Sequence, residues 1–280
     1  MKSDRIILMI GARGSGKSFM QLDVMKELAG TFDFGVAMSP TMDTVREWEK
    51  CMPRSWIYER FSQEKLEDLI SVQKRALREG REPYHLFLIL DDCVYDKKVL
   101  KSVAMRELFC NGRHLRIHLS IAVQYLMDMD PSLRSNVDYI VAMKEKILNN
   151  RVKLHKYFFG VFPRFDDFSK CFEKCTEAYS AIVMDNTAGS SQPSDCIYWY
   201  RASNPGDFRM GKRVFWELSE RHAKTAEQIR REEAARDEQE RDQEMSRKKK
   251  APVVISVEDH NGNWVSSTAK TLKSKGTIRM

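Results

Sequence analysis

The 280-residue sequence predicts an α/β domain with a mainly parallel central sheet. Two stretches carry that expectation. The first is Arg5-Ile6-Ile7-Leu8-Met9-Ile10, which runs directly into Gly11-Ala12-Arg13-Gly14-Ser15-Gly16-Lys17-Ser18. Behind it, Met20, Leu22, Val24, Met25 and Leu28 recur mostly at helical spacing, with Gly30 as a stop. The second is His85-Leu86-Phe87-Leu88-Ile89-Leu90-Asp91-Asp92, a continuous apolar run ending in two acids. Unbroken apolar runs are what strands become when helices cover both faces of a parallel sheet.

The first stretch fits G-x-x-x-x-G-K-S, and the strand before it and helix after it are the context in which that pattern binds phosphate. Glycines let successive backbone N–H groups curl around a triphosphate, Lys17 reaches the β- and γ-phosphates, and the Ser18 hydroxyl can ligate Mg²⁺. The positive end of the helix beginning near Lys17 adds to the attraction. The expected ATP-binding set is therefore Gly11, Ala12, Arg13, Gly14, Ser15, Gly16, Lys17 and Ser18.

After that helix, Phe34 to Met38 is an apolar strand closed by Ser39-Pro40-Thr41. A helix is expected from Asp43 to Cys51, with Pro53 as its breaker, then a short strand at Trp56-Ile57-Tyr58. Gln63 to Glu79 carries Leu66, Leu69, Ile70, Val72, Ala76 and Leu77 in helical register until Gly80. The acid-tipped strand delivers Asp91 and Asp92 to the sheet's C-terminal edge, where the glycine-rich loop also lies, on an adjoining strand tip. Asp91 is the expected Mg²⁺ ligand, acting through the ion's water shell, and Asp92 is placed to orient or deprotonate the attacking water. Paired acids about seventy residues beyond a phosphate loop make this assignment far more specific than either motif alone.

The spacing predicts a helix from Val99 to Cys110 ended by Asn111-Gly112 as a left-handed cap. Arg116 to Gln124 is the next strand, whose terminal Gln124 is a candidate for sensing the γ-phosphate or positioning the lytic water. Arg134 lies in a loop before the strand Tyr139 to Met143. It is either a solvated surface charge or a stabiliser of transition-state charge across a subunit boundary. Asn149 to Phe159 reads as an amphipathic helix with its aromatics inward, although mixed basic and aromatic residues also grip nucleic acid. A helix follows at Phe165 to Cys175. Ala181 to Asp185 and Cys196 to Tyr200 read as a hairpin at one side of the sheet, with Tyr198, Trp199 and Tyr200 covering a core edge.

Composition bounds the rest. Residues 217–250 hold ten basic and ten acidic residues with few large apolar ones, which predicts a solvated helix without a coiled-coil seam. The expected organisation is thus a catalytic domain at 1–216, a charged helical extension at 217–250 and a flexible tail at 251–280. A net charge of +7 suits a polyanionic partner. The six cysteines, Cys51, Cys93, Cys110, Cys171, Cys175 and Cys196, contain no C-x-x-C pair and read as reduced thiols rather than zinc ligands. No apolar run approaches the ~18 residues of a membrane span, and no leader precedes the first strand, so neither secretion nor a transmembrane segment is expected.

Taken together, G-A-R-G-S-G-K-S, the S-P-T after the second strand, L-I-L-D-D-C-V-Y-D-K-K, L-F-C-N-G-R-H, V-Q-Y, P-S-L-R-S-N-V-D-Y, K-Y-F-F-G-V-F-P and V-M-D-N-T form an ordered set. This set resembles the genome-packaging ATPases of the large nucleocytoplasmic DNA viruses, in the FtsK/HerA branch of P-loop motor ATPases. The resemblance covers about Arg5 to Ala202. It implies a RecA/FtsK-like P-loop NTPase fold, a three-layer sandwich, and a ring-forming motor that drives viral double-stranded DNA into a capsid. It also implies a docking protein at the capsid, portal or membrane of the packaging vertex, and residence in the host cytoplasm, in a viral factory, or in the virion. By the same likeness Lys17, Ser18, Asp91, Asp92 and Gln124 carry the nucleotide chemistry, and an arginine from a neighbouring subunit completes it. Arg134 is the first choice for that arginine, then Arg113, then Arg13. A cellular-type FtsK/HerA translocase or helicase fits the same motifs. A P-loop kinase fits less well, because no arginine cluster stands at a lid position, and a non-enzymatic nucleotide binder has no use for the complete acid pair.

Overall fold

The order of burial along the strands explains the architecture. In β1 (Ile6–Ile10), β4 (Leu86–Asp91) and β5 (Ile117–Val123) every residue is buried, so each strand needs cover on both faces. The computed structural model describes residues 2–93, 97–124, 129–221, 226–250, 254–258 and 264–268. The chain divides into two compact units, Met1–His222 and Ala223–Met280.

The first unit is an eight-stranded sheet. Besides the three central strands it contains β2 (Phe34–Met38), β3 (Ile57–Tyr58), β6 (Tyr139–Ala142), β7 (Ser180–Asp185) and β8 (Ile197–Arg201), in the order β3-β2-β4-β5-β1-β6-β7-β8. The six strands from β3 to β6 are parallel, while β7 and β8 are antiparallel additions.

Alternating side chains of each central strand face opposite layers. On one face Ile6, Leu8, Ile10, Leu88 and Leu119 meet α3 (Gln63–Arg78), α5 (Val103–Asn111), α7 (Leu148–Phe158) and α8 (Phe165–Cys175). On the other, Ile7, Met9, Phe87 and Ile89 meet α1 (Lys17–Leu28), α2 (Met42–Glu49) and α10 (Arg213–Arg221). The short helices α4 (Lys97–Lys101), α6 (Pro131–Arg134) and α9 (Pro193–Cys196) are connectors. The result is the three-layer sandwich that the sequence predicts.

Two packing details fix this arrangement. Gly35 on β2 stands opposite Phe87, and a Cβ there would lie 2.2 Å from the Phe87 carbonyl oxygen, so only glycine lets the two strands keep their register. Phe87 then meets Phe32 edge-on at 5.4 Å and Phe215 of α10 at 6.4 Å, which ties α10 into the core. On the opposite face Phe168 is surrounded by His155, Phe159, Phe162, Phe165 and Phe172. Truncating so enclosed a ring to alanine costs about 3–5 kcal/mol.

The structure departs from the local reading in several places. The single helix expected at Val99 to Cys110 is two, because Ser102 leaves helical geometry and its Oγ accepts from Met105 N at 3.3 Å, capping α5. Gly112 is not a left-handed cap: its φ is −52°, a Cβ there would meet the Leu108 carbonyl oxygen at 2.5 Å, and the positive φ falls at Arg116 instead. Of the three aromatics on β8, only Tyr200 packs inward, with its hydroxyl on Asp23, whereas Tyr198 and Trp199 are half exposed on the last strand of the sheet. All six cysteines are free, and burial pushes the Cys51 and Cys93 thiols up to about 12.

The second unit holds the 25-residue helix α11 (Ala226–Lys250) and an antiparallel pair, β9 (Val254–Glu258) with β10 (Trp264–Thr268), inside the segment expected as a tail. Among the described residues no helix is long and apolar enough to cross a membrane.

Candidate active site

The loop between β1 and α1 is shaped by its glycines. Gly14 and Gly16 have φ of 75° and 92°, values that a side chain disfavours. A Cβ on Gly11 would meet Ser15 Oγ at 2.5 Å and Met143 Cβ at 2.9 Å. The loop is anchored by Gly11 N–H donating to the Val123 carbonyl, 3.2 Å away at the tip of β5. At the start of α1 the cap position is Gly16 and the first turn carries no acid. No side chain among the described residues caps these N–H groups, which leaves a positive helix end facing the loop. Lys17 is buried, and its Nζ donates to the carbonyls of Gly11 at 3.0 Å and Ala12 at 3.3 Å.

Ser18 Oγ donates to Asp91 Oδ2 at 2.6 Å, which brings the loop and the first acid together. Asp91 is only 1% exposed, and burial pushes its carboxyl up to about 6 against the pull of the Ser18 hydrogen bond. Its second oxygen, Oδ1, is buried without a hydrogen-bond partner among the described residues. A buried carboxylate with a spare oxygen, beside a hydroxyl, is a donor set that fits a hard cation such as Mg²⁺.

Asp92 is turned out of the strand. Its φ is +50°, and its N–H donates to the Ala122 carbonyl at 2.9 Å. Few residues other than glycine adopt this conformation, aspartate among the more tolerant. The turn aims the carboxylate sideways along the sheet edge, where Oδ2 accepts from Gln124 Nε2 at 3.0 Å. Lys17, Ser18, Asp91, Asp92 and Gln124 thus form one continuous cluster at the C-terminal edge of the sheet.

One geometric expectation needs correction. The strands that carry the loop and the acids do not adjoin, because β5 pairs with β1 on one side and β4 on the other. Gln124 follows directly on this intervening strand, which puts it between the two groups.

Of the three candidate arginines only Arg13 is near this cluster. Arg13 is exposed on the loop itself. Arg134 ends α6 near the start of β6, at the opposite edge of the sheet, with its guanidinium carbon 4.3 Å from the centre of the Tyr157 ring. Arg113 is at that far edge too, paired with buried Asp138. Sequence reasoning missed Tyr179. Its ring stands beside the loop, 3.4 Å from where a Cβ on Gly16 would sit. The short turn that presents it contains neither glycine nor asparagine, so nothing in the sequence marks it.

The sequence profile of the Poxvirus A32 protein family matches residues 1–155. Uncharacterized protein 088R of Invertebrate iridescent virus 3 is 30% identical over 196 residues, covering 70% of this chain and 75% of its own. Uncharacterized protein L437 of Acanthamoeba polyphaga mimivirus is 30% identical over 232 residues, covering 79% and 81%. Among solved structures, the genome packaging NTPase B204 of Sulfolobus turreted icosahedral virus 2, in complex with ATP-gammaS, superposes with a TM-score of 0.52 at 18% identity. That match covers 72% of this chain and 100% of B204, a likeness of fold.

Proposed function

The chain belongs to the Poxvirus A32 protein family, and on that premise we propose that it is an ATP-hydrolysing motor that moves viral double-stranded DNA into the capsid during virion assembly. The observation that carries the hydrolytic part is the 2.6 Å bond between Ser18 and Asp91, flanked by the 3.0 Å bond between Gln124 and Asp92. Together they support reading this cluster as a phosphate cradle, a cation site and a water-orienting pair.

The chain's own groups divide the work. The loop N–H groups and the first turn of α1 bind and orient the phosphates, and Lys17 exchanges its loop carbonyls for phosphate oxygens, placing its charge where negative charge develops. Mg²⁺, which Ser18 and Asp91 would hold, supplies further neutralisation of that charge when bound. Asp92 accepts a proton from, or orients, the attacking water, and the Gln124 amide fixes the carboxylate and the water against each other. A neighbouring subunit in a ring contributes Arg134, which lies too far from the loop of its own chain to act there.

The packaging part rests on the family, on the match in fold to B204 and on the chain's net charge of +7. A capsid, portal or membrane protein at the packaging vertex is the docking partner in this reading, and the host cytoplasm, in the viral factory, or the virion is its site of action.

The decisive experiment measures ATP turnover of the full chain with and without duplex DNA. Lys17→Ala and Asp91→Ala are expected to lower turnover by about 10²–10³ or more, the cost of one preorganised charge-stabilising group. DNA is expected to stimulate the wild type with a steep dependence on salt, because phosphate neutralisation releases counterions. Undiminished turnover in both variants rejects the site. Indifference to DNA in both rate and assembly state rejects the motor. Mixing inactive Lys17→Ala and Arg134→Ala subunits is expected to restore part of the activity, and complete inactivity of the mixture removes Arg134 from the mechanism.

A further inference from the structure

The loop that holds the phosphates is bordered unequally on its two sides. On the β5 and β4 side stand Gln124, Asp92 and Asp91, so the terminal phosphate of a bound nucleotide faces that way. On the β6 and β7 side a cleft of about 550 Å³ opens beside Ala12, Arg13, Gly14 and Ser15. Its far wall is made by residues 144–147, which follow β6, and 178–180, which lead into β7. This volume lies within the roughly 300–1,000 Å³ usual for small-ligand sites. A triphosphate whose last phosphate lies toward the acids carries its nucleoside out on the other side, into this cleft.

The aromatic group at that exit is Tyr179. It is 71% exposed, lies against Gly16 and shares the cleft with the exposed Ile147. Its backbone is also held in a demanding conformation. Ser180 N–H donates to the Glu177 carbonyl at 3.0 Å, and both residues between them, Ala178 and Tyr179, have positive φ, 49° and 63°. Such a turn normally takes asparagine and glycine. Strain of this kind gathers where a side chain must be aimed at a ligand. The opposite wall is fixed by Glu145, whose two carboxylate oxygens accept from Ile147 N at 2.9 Å and Asn150 Nδ2 at 3.0 Å. That bracing leaves the exposed Lys144 and Lys146 beside the path of the inner phosphate and ribose.

We infer that this cleft is the nucleoside subsite, with Tyr179 the platform on which a purine base stacks and Lys144 and Lys146 the cations nearest the ribose and inner phosphate. The inference rests on the hydrolytic reading above and adds to it the residues that recognise the organic half of the substrate.

Direct calorimetric titration of the full chain tests it, with a non-hydrolysable ATP analogue and inorganic tripolyphosphate as separate probes. Tyr179→Ala is expected to weaken the ATP analogue about tenfold, as loss of a stacked base does, and to leave tripolyphosphate binding within about twofold. Tyr179→Phe is expected to bind both probes like the wild type, since stacking needs the ring and not the hydroxyl. Tyr179→Gly relieves the backbone and is expected to raise the unfolding temperature while losing the same tenfold in analogue affinity. Equal analogue affinity in wild type and Tyr179→Ala overturns the subsite, as does an equal loss of both probes in that variant, which marks a collapsed loop. Tripolyphosphate binding by the wild type with no added affinity for the analogue also overturns it and leaves the phosphate site standing. Failure of the wild type to bind either probe removes the nucleotide reading itself.

Discussion

Each edge of the parallel sheet carries a buried aspartate, and the two are treated in opposite ways. At the N-terminal edge the Asp138 side chain is fully buried and surrounded: it accepts from Ile6 N at 2.9 Å, from Arg5 at 3.5 Å and from Arg113. At the C-terminal edge Asp91 has Ser18 on one oxygen and, among the described residues, no hydrogen-bond partner on the other. A carboxylate whose bonding capacity is filled holds strands in place, and one left short is held ready for a cation. The backbone does not share this division, since positive φ occurs at Gly14, Gly16 and Asp92 at the second edge and at Asp4 and Arg116 at the first.

The largest effect expected from breaking this contrast is at the filled site. Asp138→Ala removes the Ile6 bond and leaves two guanidinium groups without their anion. It is expected to cost about 3 kcal/mol in chemical denaturation, less than a fully buried ion pair because Arg113 is half exposed. A loss below about 1 kcal/mol would mean that the far edge is held by other groups.

Asp91→Asn probes the unfilled site and is expected to act in the other direction. In metal-free buffer, between pH about 4 and about 6, the native carboxyl keeps a proton that the unfolded chain has released. Wild-type stability therefore falls as pH rises through that window, and the penalty stands in full above it. The variant has no charge to bury, so it is expected to be more stable by about 2–3 kcal/mol at pH 7, with no advantage below pH 4, while failing to hydrolyse ATP. Equal stability at pH 7 would mean that Asp91 is not held at such a cost.

His118 sharpens the comparison from the middle of the sheet. It is fully buried, with Nε2 unpartnered among the described residues, yet it sits inside the core against Phe32 rather than at an edge. Burial pushes its imidazole down to about 3. The unfolded chain takes up a proton below about pH 6.5 that the native one refuses, so stability is lost as pH falls from there. His118→Phe is expected to recover roughly 2 kcal/mol at pH 5 relative to the wild type's own change from pH 7, read from paired denaturation curves. If the wild type shows no such acid loss, the unpaired nitrogen has a partner that the fold supplies.

Much of this was legible in the residues because β1 and most of β4 are unbroken apolar runs and several loops, such as Gly11 to Gly16 and Ser39-Pro40-Thr41, are marked by glycine or proline. The limits of β2 and α8 coincide with the expected ones, and the glycine loop and paired acids are local motifs. What escaped depends on partners distant in the chain. Asp138 reads as a polar strand start, and its bond to Arg5 spans 133 positions. The interposition of β5 is a matter of strand order, which no periodicity records. Ser102 was hidden because one uncapped residue in a helical pattern is usually tolerated, and Tyr179 because its turn uses residues that do not announce one.

The interposed strand has a further consequence. Neighbouring strands lie about 4.8 Å apart, so β1 and β4 are separated by about 10 Å at their tips. In the mechanism proposed above that gap is a gauge for a phosphoryl group and a water molecule side by side, and its floor is the end of β5. A chain with these two strands in direct contact would grip a nucleotide equally well but would have nowhere to seat the molecule that cuts it.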